Sequence, residues 1–158
     1  MLKTEGCVKM PNDEIKFPKR MEIWYAELED KKDSNIQSKS RPVLIFSNDL
    51  NNWYSSVATV LPMTRRPKRL DLPGHTLINR EKLKGLYFDT MVLAEQITTI
   101  DQKQLIRRLG KIDDPDTIKQ IEDSVAIQLG MSECRNNGEQ PKTLYSLSDE
   151  GRIINKEI

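Results

Sequence analysis

The chain reads as a mainly β domain with α elements, an α+β fold, on three observations. Short runs rich in Val, Ile, Trp, Tyr and Thr recur between residues 22 and 112, punctuated by Pro, Gly, Asn and Asp. One segment, 115–129, carries the apolar spacing and end signals of a helix. A length of 158 residues, with 37% hydrophobic and 31% charged content, suits one compact core rather than two. The expected organisation is an N-terminal arm at 1–20, a domain at 21–130, and a tail at 131–158 that is a hairpin or disordered.

The arm mixes charge with Pro11 and Pro18 and shows no sustained period. Glu22 to Leu28 is aromatic and aliphatic, the pattern of a strand, and it feeds a charged loop from Glu29 to Ser40. Arg41 to Ser47 reads as a second, buried strand. Asn48 to Ser55 supplies cap residues for a helical turn, and Val57 to Thr64 resumes strand composition, with Pro62 placing it at an edge or a bulge. The basic turn Arg65-Arg-Pro-Lys-Arg69 leads through Leu72-Pro-Gly74 to a short strand at Thr76 to Ile78, and Asn79 to Gly85 holds a helical turn. Further strands are expected at Tyr87 to Ala94, Gln96 to Ile100 and near Ile106 to Ile112.

In the helical segment Asp114 suits the N-cap, Pro115 the first helical position and Gly130 the left-handed residue beyond the end. Ile118, Ile121, Val125 and Leu129 form one apolar stripe, which packs on the sheet or on a second subunit. In the tail, Thr143 to Leu147 and Arg152 to Ile154 flank Ser148-Asp-Glu-Gly151, a hairpin signal.

A formal charge of +1 excludes a surface that grips nucleic acid by bulk charge, so any such binding needs a local cluster. The run Val43 to Phe46 is too short to span a bilayer and Met1 to Glu5 lacks a signal peptide's apolar stretch, so no membrane partner and a cytoplasmic location are expected. Cys7 and Cys134 show no metal-ligand spacing, and two free thiols are the default in a reducing compartment.

His75 is the one histidine, which removes a His pair as acid and base and a His-rich metal centre. Its place in a turn before a strand suits a hydrogen-bonding turn residue. No acidic grouping suggests magnesium or zinc and no glycine-rich loop cradles phosphate, so the expected chemistry uses no metal and no cofactor. What remains suits a phosphodiester: Arg41 at one strand start, Thr64 at another strand end, and Arg65, Arg66, Lys68 and Arg69 beside Thr64. Guanidinium donors match phosphate oxygens in a fork, and a hydroxyl adds one directed hydrogen bond. Pro42 biases Arg41 toward an extended backbone. Trp24, Tyr25, Trp53, Tyr54 and Tyr87 are the rings available to stack bases; core packing suits Trp24 and Tyr87, and exposure suits Trp53 and Tyr54.

The order of these motifs resembles the MazF/PemK family of toxin endoribonucleases, one half of bacterial toxin-antitoxin pairs. Gln37-Ser-Lys-Ser-Arg41-Pro42 stands for the family's Gln-Gly-Gly-x-Arg-Pro loop, and Val43-Leu-Ile-Phe-Ser-Asn48-Asp49 for its following strand. Leu61-Pro-Met-Thr64, Leu72-Pro-Gly-His75 and Asp89-Thr-Met-Val-Leu-Ala-Glu95-Gln96-Ile-Thr-Thr-Ile-Asp101 continue the match, so that it covers residues 21–130.

The resemblance implies a small, strongly curved antiparallel sheet, close to an SH3-like barrel, with short helices, a C-terminal helix and a homodimeric assembly. It implies a toxin that cuts single-stranded RNA, mRNA included, at a short word without metal or cofactor, through attack of the 2′-hydroxyl on the adjacent phosphate. It implies a cognate antitoxin as partner. Arg41 and Thr64 fall on the family's catalytic arginine and threonine, and Glu95 where some relatives carry an acidic general base. Gln37, Asp89, Thr90 and Gln96 match positions that line or support the RNA groove, and with Lys39, Arg65 and Arg66 they make the expected RNA-binding set. Ser38 and Lys39 replace paired loop glycines, so a relative's RNA preference does not carry over, and Thr98 replaces a frequent arginine, removing a phosphate contact. The alternative is a non-catalytic binder on the same scaffold, such as a gyrase-inhibiting relative or an inactive homologue that only pairs with its antitoxin.

Overall fold

The computed structural model describes residues 17–31, 34–66, 69, 71–83, 86–132, 145–147 and 153–155. Cys7, Cys134, Lys68 and most of the expected N-terminal arm lie outside the described residues. Nine strands and two α-helices occur among them: β1 (Glu22–Leu28), β2 (Lys39–Ile45), α1 (Asp49–Tyr54), β3 (Val57–Thr64), β4 (His75–Ile78), β5 (Thr90–Leu93), β6 (Thr98–Asp101), β7 (Leu105–Lys111), α2 (Pro115–Gln128), β8 (Tyr145–Leu147) and β9 (Ile153–Asn155).

Seven strands form one antiparallel sheet in the order β4-β5-β3-β2-β1-β7, with β6 pairing β3. The sheet does not close on itself, β4 and β7 remaining its two ends. β8 and β9 pair antiparallel as a separate two-stranded ribbon, Ser146 opposite Ile154, and the expected turn at 148–151 lies outside the described residues.

Alternation along the central strands sends successive side chains into two cores. Ile23, Leu44, Leu61 and Met63 share one core with Ile121 and Val125 of α2. Val43, Ile45, Ala58 and Val60 enter the other with Ala26 and Ile100. The stripe on α2 thus packs on the sheet, with Ile118 partly buried beside it. Leu129 lies just past the helix end and is 53% exposed, so it drops out of the stripe.

The ends of α2 form as their residues dictate. Asp114 accepts from the Thr117 amide at 3.1 Å and from the Thr117 hydroxyl, Pro115 opens the helix, and Gly130 follows it at φ 69°. The Thr117 hydroxyl, then its amide, hold the Asp114 carboxyl below its ordinary range, with Lys82 at 3.9 Å adding a smaller push in the same direction. A depressed carboxyl contributes stability that is present above its unfolded pKa and is lost as pH falls through the folded value. Asp114→Ala is therefore expected to lower the unfolding midpoint at neutral pH, and the gap from the parent protein narrows below roughly pH 4. Thermal unfolding across an acid series checks this.

Four expectations are corrected. β3 is interior rather than an edge: β2 flanks it on one side, β6 (to Val60) and β5 (from Met63) on the other. Pro62 sits in the interval where β3 exchanges β6 for β5, and a residue without an N–H is tolerated at such a break in the ladder. The strand expected at 87–94 starts only at Thr90, and Tyr87, assigned to the core from sequence, is 84% exposed. The strand expected from Gln96 begins at Thr98, because Ala94–Gln96 close a 3₁₀ turn. The packed domain also begins before Met21. Phe17 meets Trp53 edge-on at 5.1 Å, the Arg20 amide donates to Asp49 Oδ1 at 2.6 Å, and Arg20 reaches Glu122 of α2 at 2.9 Å.

Candidate active site

Arg41 stands near the start of β2, just past the loop that leads into it. Gln96 latches that loop, its Oε1 accepting from the Gln37 amide at 2.7 Å and its Nε2 donating to the Asn35 carbonyl at 3.3 Å. Lys39, where the family pattern has glycine, adopts φ 64°, a left-handed conformation that L side chains adopt at a cost. Arg41 Nε donates to the Ser38 carbonyl at 2.7 Å, which ties one edge of the guanidinium and aims the other. Partial burial pushes the Arg41 guanidinium below its ordinary value, the nearby Tyr25 phenol opposing in part. The group stays cationic at neutral pH and, having lost some water, gains by meeting an anion.

Thr64 ends the neighbouring strand. β2 and β3 pair Val43 with Pro62, Leu44 with Leu61 and Ile45 with Val60, and Arg41 and Thr64 lie just beyond the end of that ladder. Both line one cleft of about 920 Å³, with Gln37, Arg65, Arg66, Thr90, Glu95 and Gln96. Thr64 Oγ1 accepts from the Arg66 amide at 3.2 Å, which leaves its own proton for another acceptor. Arg65 stands over the Phe88 ring at 5.1 Å.

Two expected RNA-binding residues fall outside the cleft lining. Lys39 is at the outer start of β2, opposite Leu28. The Asp89 carboxylate accepts from the Arg80 amide at 2.9 Å and is occupied in holding the turn before β5. Thr90 lines the cleft, but it is 1% exposed and its hydroxyl donates to the Phe88 carbonyl at 2.9 Å. His75 is a hydrogen-bonding residue: Nδ1 lies 2.8 Å from the Arg69 carbonyl and Nε2 2.9 Å from Glu95 Oε1, which joins β4 to the turn carrying Glu95.

The cleft also takes in residues that sequence reasoning had not assigned to it, chiefly Arg107 and Arg108 of β7, together with Tyr87 and Phe88. The adjacent arginines were visible in Leu105-Ile-Arg-Arg-Leu109, but an ordinary strand sends neighbours to opposite faces. Two register shifts on β7 bracket the pair, opposite Ile23/Trp24 and opposite Tyr25/Ala26. Such irregularities change the local twist of a strand, and no local pattern announces them.

Sheet, docked helix and arginine-lined cleft define a small domain of mainly β structure. Residues 19–129 match the model of a family described as PemK-like, MazF-like toxin of type II toxin-antitoxin systems. Endoribonuclease MazF of Staphylococcus saprophyticus is 32% identical over 119 residues, covering 75% of this chain and 97% of that protein. Endoribonuclease EndoA of Bacillus subtilis is 31% identical over 113 residues, 72% of this chain and 95% of that one. The chain belongs to the PemK/MazF family of toxins of type II toxin-antitoxin systems. Solved structures show the same fold. A crystal form of MazF from Deinococcus radiodurans superposes with TM-score 0.62 at 19% identity, over 74% of this chain and 100% of that one. A mycobacterial endoribonuclease in complex with its cognate antitoxin gives 0.56 at 21%, over 74% and 99%.

Proposed function

We propose that this toxin is an endoribonuclease that cuts single-stranded RNA, mRNA included, without a metal, and that a cognate antitoxin silences it. The observation that carries the reading is the meeting of Arg41 and Thr64 at one cleft, on the positions where the family keeps its catalytic arginine and threonine. The 2′-oxygen of the substrate bonds to phosphorus as the bond from phosphorus to the 5′-oxygen breaks, leaving a cyclic phosphate and a 5′-hydroxyl. Negative charge grows on the non-bridging oxygens during that exchange. Arg41 meets it with the open edge of its guanidinium and Thr64 with its hydroxyl proton, two donors already fixed by their own hydrogen bonds. Glu95, the one carboxylate among the described lining residues, takes the 2′-hydroxyl proton and gives it up to solvent, and the departing 5′-oxygen takes a proton from water.

The partners follow from the same charge. An extended acidic antitoxin segment fits the arginine-lined cleft and excludes RNA from it, and a homodimer is the working assembly. No helix among the described residues is long and apolar enough to cross a membrane, and the proposed place of action is the cytoplasm, where mRNA is found.

Incubation of the purified protein with a mixed RNA pool in EDTA tests the reading. Fragments whose 5′ ends polynucleotide kinase can label directly are expected, since they carry free hydroxyls. Intact RNA, with the protein folded by circular dichroism, overturns it; gyrase inhibition alongside intact RNA selects the non-catalytic alternative.

A further inference from the structure

The arginine pair on β7 has the build of a second phosphate site. Glu22 is 7% exposed and its carboxylate is fully engaged: Oε2 accepts from the Lys19 amide at 3.0 Å and from Trp24 Nε1 at 2.9 Å, and Oε1 accepts from Arg108 Nε at 2.7 Å. Arg108 is thus held through Nε, as Arg41 is held through its bond to Ser38. Its terminal nitrogens make no hydrogen bond among the described residues, and that is the edge that grips phosphate in a fork. Arg107, opposite Tyr25, is exposed and makes no ion pair among the described residues.

The sheet order fixes the spacing. Tyr25 of β1 lies opposite Pro42 of β2 on one side and Arg107 of β7 on the other, so the arginine pair stands two strands from the residue beside Arg41. Two strand spacings are about 10 Å. Long arginine side chains close part of that gap, and the remainder suits the next phosphates of one RNA strand rather than the same phosphate. Arg65 and Arg66, which follow the end of β3, line the same cleft.

We propose that Arg107 and Arg108 bind a phosphate flanking the scissile linkage, so that the strand lies across β3, β2, β1 and β7 and is anchored on both sides of the cut. This rests on the endoribonuclease reading and adds to it a determinant of footprint and affinity. It predicts that the pair contributes to substrate binding and not to the chemical step.

The test uses the full chain and a single-stranded oligonucleotide carrying a cut site mapped for the wild type. Arg107→Gln breaks no ion pair and is the cleaner variant; Arg108→Lys keeps the charge but loses the fork and the bond to Glu22. For the double variant Arg107→Gln, Arg108→Gln, KM is expected to rise roughly ten-fold to a hundred-fold with kcat unchanged. The salt dependence of binding should fall by about 0.7 in log–log slope for each phosphate that is no longer neutralised. A methylphosphonate placed at the flanking position should weaken the wild type and leave the double variant unaffected. Equal KM and equal salt slope for wild type and Arg107→Gln overturn the proposal, as does a methylphosphonate penalty that persists in the double variant at every position. Variants that cut like the wild type but escape inhibition by an acidic peptide reassign the pair to the antitoxin. Fluorescence anisotropy with a 2′-O-methyl oligonucleotide, which cannot be cut, reads binding alone. If the wild type binds this probe but cleaves no RNA, the cleavage reading fails while the anisotropy comparison still decides the subsite.

Discussion

Arg41→Ala is expected to reduce RNA cleavage by at least a factor of about 10²–10³, the scale seen when one preorganised oxyanion donor is removed. The reason lies in how the side chain is held. Its Nε is bound to the Ser38 carbonyl and the loop before it is latched to Gln96, so the side chain is already held at the cleft before substrate arrives. Arg41→Lys should recover little of the loss, because an ammonium carries the charge without the fork and cannot reproduce the Nε bond. Thr64→Val removes one hydrogen bond to a charged oxygen and should lose roughly ten-fold to a hundred-fold. Single-turnover cleavage under saturating protein separates these effects from binding, and an unfolding curve like the wild type's confirms that the fold is intact. Cleavage by Arg41→Ala at the wild-type rate removes the mechanism.

The second large effect concerns stability. Ile121→Ala should cost about 2–5 kcal/mol, since a fully buried side chain is truncated where sheet and helix leave little room to collapse. Denaturant unfolding should show the midpoint falling with the slope unchanged. The site should feel this loss as well. α2 holds β4 through the hydrogen bond between Thr76 and Ser124 at 2.9 Å, and it packs on the turn that carries Glu95 and Gln96. Loosening the helix therefore loosens the turn whose Gln96 latches the loop before Arg41.

Several elements were legible because their causes are local. Asp114, Pro115 and Gly130 act within a turn of the helix end they define, and the structure puts α2 between them. The β1 strand and the Val57 to Thr64 strand follow from runs of β-forming side chains. Arg41 and Thr64 stood out by position, one at a strand start and one at a strand end. That both line one cleft depends on β2 and β3 lying side by side, which neither segment announces.

The misses share one cause, which is dependence on a distant partner. Tyr87 and Phe88 look like strand residues, yet β5 pairs with β3 and β4 only from Thr90 onward, so the two rings are left at the cleft rim. Pro62 looks like an edge marker, but β3 changes neighbours beside it and an interior strand accommodates it. Arg107 and Arg108 look like one inward and one outward residue of a strand, and only the placing of β7 beside β1 brings both to one cleft.

Taken alone, the order of residues determined the element types, the caps of the last helix and the two side chains chemically fit to meet a phosphodiester, because each depends on near neighbours and on intrinsic donor geometry. Tertiary structure decided which strand lies beside which, where the ladder breaks and which cations share a cleft. Those outcomes depend on pairings between residues far apart in the chain, and there a shift of one position moves a side chain to the other face.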